Sequence, residues 1–219
     1  MRSEVRTGKR FVHFPVHSLW HHLAAMAKHT AAVVLYCPMA ATSTLIIPVP
    51  YFRQLDNVSR RGWRECFLSS CGMLAAYWGR TTSDDAYAAT LARFGDTTDP
   101  LAQIAALRAL GLDAVFRIDG TPALLESEIK ARRPVAVGWL HRGHTTAPGV
   151  EGHWSVVCGY DPARWCIHDP YGEPDVVRGG HLPGTSGERC WVTRRNWGPR
   201  WQPRGEGGWC VTVRGPVPF

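Results

Sequence analysis

The chain has 219 residues, 45% hydrophobic and 20% charged, with a net charge of +7. That size and balance fit one well-packed domain. Seven cysteines are too few for a disulfide scaffold, and no apolar run reaches the roughly 18 residues of a membrane span. Residues 1–38 carry five Lys or Arg against one acid, so most of the basic surplus lies there. The remainder reads as a solvated basic exterior, with no nucleic-acid partner expected.

The first 46 residues have scattered charges and histidines and no amphipathic period. They read as a poorly ordered extension, or an over-extended start, before a domain over 47–219; Met39 looks like the natural start. The run AAVVLYCPMAA is too short, and its leader too long, for a secretion signal. Reduced, buried thiols and the lack of a signal suit a cytoplasmic home.

From Ile47 the punctuation is regular. IPVPYFRQLDN is an extended segment closing in a polar loop over 53–64. A helix follows over 66–78, with Leu68, Cys71, Ala75 and Trp78 on its apolar face and Gly79 as its stop. Ser83, Asp99 and Thr121 cap three more helices, the last two opening with Pro100 and Pro122. Beyond Pro134 the runs PVAVGWLH, HWSVVCGY, RWCIHDP, RCWVTR and GWCVTVRG are short and β-rich. Helices precede strands without βαβ alternation, which predicts an α+β fold. RCWVTRRNWGPRWQPRGEGGW interleaves Arg with Trp and reads as a domain-closing wrap, with Trp rings packed and Arg exposed, ahead of a glycan- or nucleic-acid-binding face.

The hairpin of residues 153–169 brings chemistry-bearing residues together. With a turn centred near Asp161, His153 falls opposite Asp169, and opposed side chains have Cβ atoms about 5 Å apart. In that register Asp169 orients the imidazole as the third member of a triad does. A one-residue slip breaks the pairing. The thiol such a base needs is Cys66, at a helix N-terminus, where unpaired N–H groups favour a thiolate. Cys71 lies a turn inside the helix and reads as packing. Gln54, in the preceding loop, offers its amide beside the Cys66 N–H for an oxyanion. Asp56, Asn57, His141 and Trp154 are the candidate substrate contacts. Of these, Asp56 and Asn57 read first as shaping the Gln54 loop, and His141 as part of a solvated loop. His168 should face the other side of the sheet and be structural. No CxxC pair occurs, so no metal site is expected from spacing, and no cofactor.

The pieces VPYFRQLDN, CFLSSCGMLAAYWG, GHWSVVCGYD and IHDPYG resemble the bacteriocin-processing, double-glycine-leader type of cysteine peptidases, in the papain-like superfamily. GDTTD, LHRG and the late GGW are similar to phage-encoded lysins of that type. The resemblance spans about residues 47–213. It implies a papain-like fold, with Cys66 as nucleophile, His153 as base, Asp169 as orienting residue and Gln54 as oxyanion donor. It further implies a monomeric peptidoglycan peptidase or amidase of the endolysin kind, which acts on the cell wall after release from the host cytoplasm. The alternatives are a leader- or precursor-processing peptidase and a non-catalytic peptide-binding module. Phe67 departs from the small or polar residue usual after the nucleophile, which puts the shape of the pocket in question.

Overall fold

The computed structural model describes residues 44–216. The extension assigned to residues 1–46 therefore lies outside the described residues, except for Thr44–Ile46. Leu45–Ile46 form a short strand, β1. Helices α1 (Cys66–Tyr77), α2 (Asp84–Leu91) and α3 (Pro100–Ala109) follow. Then come β2 (Leu112–Gly120), α4 (Pro122–Lys130), β3 (Val135–Leu140), β4 (Gly152–Tyr160), β5 (Arg164–His168), β6 (Cys190–Thr193), α5 (Arg194–Trp201) and β7 (Gly208–Pro216). The strands form one antiparallel sheet in the order β2-β7-β3-β4-β5-β6, with β1 pairing with β4. This is the papain-like α+β fold.

Local signals set the helix starts. Ser83 Oγ accepts from Ala86 N at 3.0 Å, Asp99 Oδ1 from Leu101 N at 2.8 Å and Thr121 Oγ1 from Leu124 N at 3.1 Å. Each satisfies a backbone donor that the first turn leaves unpaired. Helix α1 packs on β3, β4, α2 and α3, and every residue from Phe67 to Ala75 is buried. The single apolar face expected from the sequence is corrected accordingly: a helix enclosed by its neighbours has no solvent side to make polar. Its buried Ser69 donates to Asp84 Oδ2 at 2.5 Å.

Two elements escape the reading of helices first and strands later. Strand β2 lies between α3 and α4 and pairs with β7, about a hundred residues on. The supposed wrap contains α5, capped by Thr193. Trp197 and Trp201 are buried as expected, but so is Arg200, while Trp209 is 56% exposed. The Arg200 guanidinium donates to the carbonyls of Leu140, Arg142, Gly143, Val176 and Val177. A buried cation without a carboxylate partner is tolerable because its donors are satisfied. This clasp holds the end of β3 against the loop after β5.

The β4–β5 hairpin also differs from its sequence reading. Tyr160 pairs with Trp165, and Asp161 Oδ1 accepts from the N–H groups of Ala163 and Arg164. The turn is therefore centred between Pro162 and Ala163, not near Asp161. A register shift between Val157 and Gly159 follows, after which Val156 pairs with His168. Continued one residue, this register sets Asp169 opposite Ser155 rather than His153.

Candidate active site

Residues 153 and 155 share one face of β4, so the shifted register still leaves His153 diagonal to Asp169. His153 Nε2 lies 2.9 and 3.0 Å from the two Asp169 oxygens. Ser155 Oγ donates to Asp169 Oδ2 at 2.9 Å and itself accepts from Trp139 Nε1 at 2.9 Å. Tyr171 N donates to Asp169 Oδ1 at 2.9 Å. The carboxylate is thus fixed on several sides before it meets the imidazole. Its Nε2 contact leaves Nδ1 as the ring nitrogen free for a reacting partner.

Burial of Asp169 works against its charge. The His153 charge and hydrogen bond, with His181 behind them, outweigh that and hold the carboxyl well below its usual range. Burial likewise disfavours the imidazolium of His153, but the Asp169 carboxylate and then the Cys66 thiol raise its pKa to about 10. Cys66 opens α1 and is half-buried, and it lines one cleft of about 630 Å³ with Gln54, His141, His153, Trp154 and His181. Cys71 is fully buried, and that burial pushes its thiol far up.

Gln54 is buried and its Nε2 donates to the carbonyl of Gly62. One amide hydrogen is used there and a second remains; the residue lines the cleft. Gln54 N donates to Pro170 O at 2.9 Å, and Tyr51 Oη to Asp169 O at 3.1 Å. These bonds tie the Gln54 loop to the segment carrying Asp169. A Cβ on Gly62 would lie 2.0 Å from Gln54 O, so only glycine lets the loop fold back this closely. Glu65, beside the thiol, is turned away: Oε2 accepts from Asn57 Nδ2 and Ser59 Oγ, both at 2.8 Å.

The family model of the Peptidase_C39 like family matches residues 46–196. The chain belongs to that family. A solved structure of a putative C39-like peptidase from Bacillus anthracis is 18% identical, with a TM-score of 0.56 over 81% of this chain and 98% of that one. A double glycine motif protease from an AMS/PCAT transporter, solved with the leader peptide, is 17% identical at a TM-score of 0.49, over 78% and 94% of the two chains. The peptidase domain of Streptococcus ComA is 17% identical at 0.48, over 71% and 93%. No curated protein matches. The family is one of cysteine peptidases.

In this C39-like peptidase Trp154 lines the cleft and stacks on Phe67, with ring centroids 3.6 Å apart and planes 3° from parallel. On its other side Trp154 covers its strand partner Gly138, where a Cβ would meet the indole at 2.9 Å. The bulky Phe67 is therefore part of the cleft wall. His141 also lines the cleft. Burial and the neighbouring His153 charge lower its pKa to about 4, so it is neutral at pH 7. Asn57 is buried, its Nδ2 donates to Glu65 Oε2, and it does not line the cleft. Asp56 is exposed and does not line the cleft. His168 is structural: Nε2 donates to Val49 O, and Nδ1 accepts from Arg189 N, both at 3.0 Å.

Sequence reasoning missed His181, whose Nε2 is 3.3 Å from Asp169 Oδ1. Only its residue type gave a hint, because the loop that delivers it has no periodic pattern. It also missed Trp63, 73% exposed at the cleft. Among the described residues no helix is long and apolar enough to cross a membrane.

Proposed function

We propose that the chain hydrolyses peptide bonds through a thioester on Cys66. The observation that carries this reading is one cleft joining a thiol at a helix N-terminus to an imidazole held by a buried carboxylate. His153 Nδ1 already holds the thiol proton before attack, as an imidazolium beside a thiolate, and the sulfur attacks the scissile carbonyl. The resulting oxyanion faces the Cys66 N–H and the remaining Gln54 amide hydrogen. His153 returns the proton to the leaving amine, and the C–N bond breaks. Water deprotonated by His153 then releases the acid and restores the ion pair. Asp169 keeps the ring oriented and favours its charged form throughout.

The substrate we propose is the peptide part of peptidoglycan, cleaved in the manner of a phage endolysin. An exposed Trp63 on the cleft supplies a flat ring for a sugar, and the polar lining around it, with Arg64 paired to Asp96 and Arg142 to Glu151, supports this class over a plain hydrophobic peptide. Membership of the C39-like family supports a second reading, cleavage of a leader or precursor peptide. Incubating the full chain with purified cell walls, and separately with a precursor ending its leader in Gly-Gly, tests both. New amino termini from the walls, absent with Cys66→Ala, are the expected result. Cleavage of the precursor alone selects the second reading, and cleavage of neither by a folded protein refutes the peptidase assignment.

A further inference from the structure

The catalytic proposal uses His153 and Asp169, and His181 enters it only as a neighbour of the Asp169 carboxylate. Its side chain is 8% exposed, and Nε2 is buried with no hydrogen-bond partner. That atom sits 3.3 Å from Asp169 Oδ1 without the alignment of a hydrogen bond. An unpaired buried nitrogen is costly, yet this one points into a cluster of groups that bind metals. The His181 ring lies 4.8 Å from that of His153 and 5.8 Å from that of His141, centroid to centroid.

We propose that His153, Asp169 and His181 form a zinc site, and that the zinc-bound state is inactive as a peptidase. One ligand atom from each lies within 4.8 Å of the other two. Tetrahedral zinc, with bonds of about 2.0–2.2 Å, sets its ligands about 3.4 Å apart, so shifts of rotamer size bring the three into place. No other group of three such side chains is this close among the described residues. Two imidazoles and one carboxylate suit zinc rather than the oxygen-seeking magnesium or calcium.

The supporting shell is already built. Ser155 and the Tyr171 N–H hold the carboxylate, as second partners hold ligands in metal sites. The His181 ring packs 4.7 Å from that of Tyr171, and its backbone forms a bridge with Pro174. Arg200 clasps the same loop at Val176 and Val177. Two of the three ligands, His153 and His181, line the cleft. Zinc takes His153 Nε2 in place of one proton of the imidazolium, which passes to solvent; the remaining proton stays on Nδ1, so the ring can no longer accept the thiol proton. The inactivation, unlike the binding, rests on the peptidase reading.

Equilibrium dialysis of the full chain against zinc chloride tests the site, comparing wild type with His181→Gln and with His144→Gln, an exposed control. Wild type and His144→Gln should each hold one zinc more than His181→Gln, or hold it at least tenfold more tightly. Equal zinc content and equal affinity in all three overturn the proposal. Zinc-edge anomalous diffraction from the wild type needs no variant: a peak within about 2.2 Å of the three ligand atoms is expected, and zinc found only elsewhere overturns it. Zinc should stop cleavage and a chelator restore it, with His181→Gln at least tenfold less sensitive relative to its own zinc-free rate. Binding without any cleavage activity refutes the peptidase reading alone, whereas cleavage that zinc at the site leaves intact refutes the inactive state.

Discussion

Replacing Asp169 by Asn separates charge from shape. The amide is nearly isosteric, so its oxygen can keep the Tyr171 N–H and His153 Nε2 bonds at 2.9 Å. Its NH₂ then meets Ser155 Oγ, a hydroxyl able to turn and accept, and stands where Oδ2 was, 3.0 Å from His153 Nε2, so the ring must lean towards the retained oxygen. What disappears is the negative charge, the largest favourable influence holding the His153 pKa at about 10. A hydrogen bond to a charged group contributes about 1.5–3 kcal/mol and a neutral one about 0.5–1.5. The difference is about 1–1.5 kcal/mol, which lowers the His153 pKa by about one unit. The rate should fall about tenfold, far less than with His153→Ala, because a proton carrier has no substitute. A pH profile of kcat/KM should show the basic limb moved down by about one unit. Stability gives the matching sign. Because the folded His153 pKa lies above its ordinary value, the imidazolium stabilises the native state fully below about pH 6.5 and less as pH rises through about 10. Melting temperatures should therefore decline over that window in the wild type, and in Asp169→Asn the decline should begin at the same pH and level off about one unit lower. An unmoved basic limb, or a loss as complete as with His153→Ala in a folded protein, would refute the reasoning.

Among the described cysteines iodoacetamide at neutral pH should label Cys66 first, because Cys71, Cys158, Cys166, Cys190 and Cys210 are buried; peptide mapping that finds Cys71 ahead of it removes Cys66 as nucleophile. Cys66→Ala should abolish cleavage and leave the melting temperature within a few degrees. Gly62→Ala should cut kcat at least tenfold, since its Cβ would lie 2.0 Å from Gln54 O and the loop must shift; a wild-type kcat would argue that Gln54 is no oxyanion donor. Arg200→Lys should cost about 3 kcal/mol or more in denaturant unfolding, because an ammonium cannot reach the five carbonyls that the guanidinium serves. An unchanged midpoint would show that the clasp contributes little.

What the sequence determined by itself is local chemistry and order along the chain. Ser83, Asp99 and Thr121 mark helix starts because a cap bonds an N–H two or three residues on, within reach whatever the rest of the chain does. The thiol at the start of α1, the imidazole on β4 and the carboxylate after β5 were legible because each stands at the end of a recognisable element. Long-range pairing was not. Strand β2 needs β7 to satisfy its backbone, and α5, rich in Arg and Trp with Pro199 inside, is made a helix by the surface it packs on rather than by propensity. The His153–Asp169 contact survived a wrong register because period-two alternation keeps diagonal residues on the same face. The turn centre and the shift near Cys158 that decide who faces whom depend on backbone geometry that no residue spelling fixes. His181 and the zinc ligands show the limit most plainly: their three side chains come from separate segments, so no spacing motif joins them, and only the folded chain brings their ligand atoms within 4.8 Å of one another.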